Sequence, residues 1–458
     1  MSKIETRKKR LVELGPESLA DALLQLAVHN DIADDMVERL IATPRENVKK
    51  FQAKLAGVKR SRRFIRWGES YGFSLQLQQL LEILKEGADD PVTGCKMVAR
   101  FFESDQATFN RCDDSSGHVG DVFRHDAPEL FSTYAQQCPD KEWLADLVFD
   151  LNKKDSFGVR DALIDCAAEY LPESVIRSLI HRMQQMADTE SDEYNKRHWL
   201  QLVESLARQI RDPELFLRTR AASWGSLNAN AWLDIAEVYL KSGDSQTALE
   251  WLEKISDDDV FQASRRDTML LEVYGQLGQS EKQKDIAWKQ FHSCRTTVAL
   301  DELLAVIGKD RRDSVVQGEL PKIHANKNLS LTDAAFLVDM GLMEDAGDYV
   351  RDRAELLDGD HYYSLLPLAK ALEESGYPLP ATVVYRALLD SILRRGKSTI
   401  YHHGVRYLKK LDRLASDVDD WKNVTDHQAY VQELRQTHGR KSAFWAKYGD
   451  LKNDFDIH

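Results

Sequence analysis

Histidines and cations gather between Arg394 and Lys447, where twelve Lys or Arg stand against six Asp or Glu. That stretch is net +6, which leaves −19 on the remainder of a chain whose total is −13. Tyr401, His403, Arg406, Arg435, His438, Arg440 and Lys441 are the residues here that could do chemistry. Imidazole titrates near neutral pH, and guanidinium is a planar fork for phosphate or carboxylate. On a helix through YHHGVRYLKKL, His402, Arg406 and Lys409 or Lys410 share one side, an arrangement suited to an anion. His427 and His438 also share a face, but eleven residues of helix separate them by about 16 Å, too far for one metal. The same segment describes a terminal helical cap with a polar outer face, with Tyr407, Trp421, Tyr430, Phe444 and Trp445 packed inward. The cap is the expectation adopted.

A second basic run holds Lys49, Lys50, Lys54, Lys59, Arg60, Arg62, Arg63 and Arg66, with Phe64 and Trp67 interleaved. Arg60, Arg62 and Arg63 are its candidate contacts for nucleic acid or another polyanion. In an acidic chain, the expectation is instead a solvated helix face whose aromatics pack inward. Asp113 to Asp121, DDSSGHVGD, pairs adjacent carboxylates with glycines. A calcium loop needs alternating oxygen ligands and a distal Glu, which this stretch lacks, so an Asx-type turn ahead of a helix near Asp121 is expected. Without a nucleophile elbow, P-loop, dinucleotide fingerprint or HExxH pair, no catalytic residue, metal or cofactor is expected.

The elements that must position these residues carry a repeat. Trp232, Ala236, Tyr239, Gly243, Ala248 and Leu252 stand where a tetratricopeptide-type hairpin wants large, small, aromatic, turn, small and large residues. Tyr274 and Gly278 repeat Tyr239 and Gly243 after 35 residues, and Ala369, Leu372, Gly376, Ala381, Tyr385 and Leu388 write the register again. Such hairpins cannot bury an apolar face alone; they stack and leave a concave surface. The predicted fold is all-α: stacked antiparallel helical hairpins of a tetratricopeptide-like solenoid, with a helical N-terminal half and a C-terminal helical cap. The predicted division is 1–212, a helical domain; 213–395, the repeats; and 396–458, the basic cap. Lys309 to Asn328, rich in charges and breakers, is expected to hold a loop or a domain joint.

Composition agrees. Hydrophobic residues make up 43% and charged residues 30%, as in a folded chain, and eleven prolines leave room for long helices. The negative total disfavours wholesale binding to a phosphate backbone while leaving local basic patches open. No run is long enough and apolar enough to span a membrane, and the opening MSKIETRKKRLVEL lacks an apolar signal core, so a cytoplasmic protein is expected. Cys95, Cys112, Cys138, Cys166 and Cys294 are widely spaced and never form CxxC, which predicts reduced, mostly buried thiols.

The stretch YHHGVRYLKKLDRLASDVDDW, then His427, Tyr430, Leu434, Arg435 and HGRKSAFW, resembles the end of an uncharacterised bacterial helical-repeat family. DDSSGHVGDVF and KRSRRFIRW are similar to it too. Helical regions of that kind also accompany SWIM-type zinc fingers, but the CxC and CxH pairs of the finger do not occur in this chain. The resemblance implies a helical-repeat, tetratricopeptide-like fold, and no activity or zinc.

The leading functional expectation is a non-catalytic scaffold that binds a protein or peptide in its groove. The alternative is a nucleic-acid or polyanion binder using 49–66 and 394–447. A His/Arg-centred enzyme comes third.

Overall fold

The computed structural model describes residues 3–256 and 262–450. Positions 257–261, inside the expected repeat, and 451–458, the end of the expected cap, lie outside the described residues. The chain is all-α. Among the described residues the only β feature is one parallel bridge between Ile65 and Cys112. Two compact units are present, Met1–Ser256 and Asp257–His458. The expected boundary near 212 falls within the first, at a turn joining the mutually packed helices Glu193–Gln209 and Pro213–Trp224.

In the first unit, chain neighbours pack as pairs: Pro44–Arg60 on Trp67–Gly87, Glu173–Thr189 on Glu193–Gln209, and Ala229–Ser242 on Ser245–Leu252. Local chemistry sets their ends. Thr43 caps Pro44–Arg60 in a reciprocal box with Glu46, and Asp90, Asp140, Asp192, Asp212, Asn228 and Asp244 each accept a backbone N–H of the first turn. Each such cap contributes about 1 kcal/mol. The core gathers Phe101, Phe102, Phe123 and Phe131, with Phe101 stacked on Phe123 at 4.7 Å. The DDSSGHVGD loop is a turn: Asp114 accepts the N–H of Val119 and of Gly120 at 2.9 and 2.7 Å. The helix it caps, His118–Asp121, runs into a π-turn, Val122–Asp126.

In the second unit, Ala263–Gln276 packs on Ser280–Ser293, Tyr362–Glu374 on Pro378–Arg395, and Pro378–Arg395 on Tyr401–Leu414. Ser442–Asp450 closes over Tyr401–Leu414, and Tyr407, Tyr430 and Phe444 are buried there, as a terminal cap requires. Lys309 to Asn328 is mostly helix, Arg312–Ala325, rather than a loop or joint. Glu319 on that helix is buried and receives Arg295 and Lys322, while Lys309, Asp310, Arg311 and Asp313 of the same stretch are exposed.

The repeated glycines end helices in one way. Gly243, Gly278, Gly341 and Gly376 all take positive φ, and the residue after each donates its N–H back to Tyr239, Tyr274, Leu337 or Leu372. Gly341 and Gly376 are also 35 residues apart, so the spacing legible at Gly243 and Gly278 recurs where the sequence hides it. Arg211 makes the same turn at φ 55 without being glycine. Three cysteines are buried, Cys166 is half-buried and Cys294 exposed; all five are free, and burial pushes the Cys95 thiol up to about 12.

Candidate functional site

The second unit holds a pocket of about 340 Å³ between Tyr362–Glu374, Pro378–Arg395 and the start of Tyr401–Leu414. Its walls are Tyr362, Leu366, Leu388, Ile392, Ile400 and Tyr407, and Arg395, His403 and Arg406 supply its charged and titratable groups. Gly359 forms part of the lining because only glycine fits: a Cβ there would lie 2.0 Å from the Ala387 carbonyl oxygen. That contact docks the 358–360 turn on the helix Pro378–Arg395. Asp360 then accepts from Ser391 and pairs with Arg395 at 2.9 Å, while Asp358 pairs with Arg394 at 3.1 Å. The Ser391 hydroxyl and the two guanidiniums hold the Asp360 carboxyl below its usual range.

One cation at the pocket stays uncompensated. Arg406 donates to Nδ1 of His403 at 2.6 Å and meets no carboxylate among the described residues. For Nδ1 to accept, His403 must be neutral. Partial burial, then the neighbouring His402 and Arg406, lower its pKa from 6.5 and favour that form. The pocket therefore offers an apolar interior, one free guanidinium and a neutral imidazole, which suits a ligand with an apolar body and an anionic head.

The other sequence candidates of this segment are elsewhere. Tyr401 is core, edge-on to Phe444 at 5.7 Å. Arg435 lies over the Trp445 ring at 4.6 Å, and the His438 carbonyl accepts the Trp445 indole N–H at 3.0 Å. Lys441 leans on the turn at Gly396, and Arg440 is exposed. The His402, Arg406 and Lys410 side does not act as one clamp, because His402 bonds the Thr399 carbonyl and Lys410 is committed to Glu373. His403 and Arg406 are thus the two candidates the pocket brings together. Sequence reading missed Tyr362, Arg395 and Gly359; the glycine in DGDHYY was the one local hint.

In the first unit, Arg60 ends its helix and donates to the Ala56 carbonyl, and Arg63 pairs with Glu69. Arg62 is exposed. The expectation that the aromatics of this run pack inward is corrected: Phe64 is 57% and Trp67 62% exposed. Between Ser61 and Arg66 the chain runs outside the helices, and Ile65, which bridges to Cys112, is the buried side chain of that segment.

A family model described as a family of unknown function, DUF6880, matches residues 1–230 and 228–447, and the chain belongs to that family. No curated protein matches it. Among solved structures, a circular tandem repeat protein with novel repeat topology and enhanced subunit contact surfaces is 16% identical, over 94% of this chain and 97% of that one. Its TM-score is 0.16, and nothing in the reading of the site depends on it.

Proposed function

We propose that the chain is a tetratricopeptide-like helical-repeat scaffold, without chemistry of its own, that binds a protein or peptide partner through its second unit. The partner segment that fits is an apolar side chain beside a carboxylate. The observation that supports this is Arg406, a guanidinium with no acidic partner among the described residues, placed at a pocket walled by Leu366, Leu388, Ile392 and Tyr407. An apolar wall supplies affinity, and a fixed guanidinium supplies orientation.

Selection from a displayed library of random peptides with free carboxyl termini tests it. Enrichment of apolar residues next to a terminal or side-chain carboxylate is expected, and Arg406→Glu should abolish it while Arg440→Glu, away from the pocket, leaves it intact. Peptides enriched without that pattern, or enriched as well by Arg406→Glu, would end the proposal.

A further inference from the structure

From the segment between Pro44–Arg60 and Trp67–Gly87 we infer that the first unit carries a surface for single-stranded nucleic acid, made of alternating guanidinium and aromatic side chains. Along Ser61 to Trp67, Ser61, Arg63 and Ile65 turn to a cleft of about 480 Å³, and Ile65 anchors the strand by bridging to Cys112. Arg62, Phe64 and Arg66, which do not line that cleft, are all exposed. Trp67 and Tyr71, one helical turn apart, are 62% and 60% exposed and continue the row of rings. Three exposed rings within eight residues, Phe64 to Tyr71, are unlike the scattered single hydrophobics of an ordinary surface.

The charges beside the rings are available. Arg62 and Arg66 meet no carboxylate among the described residues. Nearby acids are engaged: Glu69 takes Arg63 and the Arg66 N–H, Asp113 takes Ser115, and Asp114 takes the Val119 and Gly120 N–H groups. The cleft adds Arg111, which lies over Phe73 at 4.8 Å and whose Nε is buried without a partner. Gly57, Gly68 and Gly72 line that cleft with open space where a Cβ would be.

The rings decide between polyanions. An acidic peptide or a duplex would use the guanidiniums and leave Phe64, Trp67 and Tyr71 idle, whereas unpaired bases stack on such rings without regard to sequence. Local charge makes this compatible with a chain of −13 overall, because screening limits the distant acids to about 8 Å at physiological salt.

Fluorescence anisotropy with a labelled oligothymidine, a labelled polyglutamate and a DNA duplex, each titrated with the full chain, tests the inference. Saturable binding of oligothymidine is expected, weakening as salt rises. Phe64→Ala with Trp67→Ala should weaken it about fivefold or more. Arg62→Ala with Arg66→Ala should lower the slope of log affinity against log salt by about 1.4, from two phosphates at about 0.7 each. All four side chains are exposed, so circular dichroism of both variants should match the parent. Absence of oligothymidine binding at low salt would overturn the inference. So would polyglutamate or duplex binding as tightly with the aromatic pair silent. This surface is separate from the Arg406 pocket, so either result leaves the peptide reading untouched.

Discussion

Arg406 donates to His403 Nδ1 at 2.6 Å, and that single bond joins the free cation of the pocket to a titratable group. Burial is the first reason the His403 pKa falls below 6.5 in the folded chain, and burial likewise lowers that of His438. The unfolded chain therefore binds the proton more readily. The stability these histidines contribute is complete above about 6.5 and is lost as pH falls through their lower folded values. Thermal unfolding from pH 8 to pH 5 should show the midpoint dropping on the acid side. His403→Gln, which cannot titrate, should flatten part of that drop; an unchanged profile would show that His403 does not contribute.

Gly359 and Ala387 make a backbone contact that admits no side chain. Gly359→Ala places a methyl 2.0 Å from a carbonyl oxygen, so the 358–360 turn must lift from its helix. We expect a loss of about 1–3 kcal/mol, measured by urea unfolding. The pairing of Asp360 with Arg395 should loosen with it. A substitution without effect would mean the turn is not held where the structure places it.

Arg211 occupies the left-handed conformation that Gly243, Gly278, Gly341 and Gly376 occupy at their helix ends. A Cβ costs about 1–2 kcal/mol there, part of which glycine returns as unfolded-state entropy. Arg211→Gly should therefore stabilise the chain by up to about 1 kcal/mol, and Gly243→Ala should destabilise it by a similar amount. Paired denaturation curves decide both signs.

Asp105 and Arg160 form a two-pronged ion pair, both bonds 2.8 Å, with side chains 2% and 5% exposed. Arg160 also donates to the Leu151 carbonyl. Removing one partner strands the other charge, so Arg160→Met should cost about 3–5 kcal/mol. Asp105→Leu together with Arg160→Met should cost less than Arg160→Met alone. A double substitution as damaging as the single one would show that the pair contributes more than mutual neutralisation.

Features written within a few residues of one another were readable in advance. The all-α class, the helix stops at Gly243, Gly278 and Gly376, and the turn at DDSSGHVGD all depend on backbone preferences and caps that act over one or two turns. The stretch Lys309 to Asn328 failed that treatment because its buried charge, Glu319, is met by His292 and Arg295 on the preceding segments, which no local window contains. The direction of Phe64 and Trp67 was hidden for a similar reason. Whether they turn in or out depends on the bridge from Ile65 to Cys112, 47 positions along the chain.

By itself, then, the order of residues determined the kind of element, where most elements end and that pairs of them repeat, since each is settled by neighbours in the chain. Tertiary structure alone decided that His403 and Arg406 share a pocket with Tyr362 and Arg395 while Arg435 and His438 attend Trp445 instead. The reason is physical. Helical periodicity assigns a residue to a face, but which faces meet is set by the packing of buried side chains from distant segments.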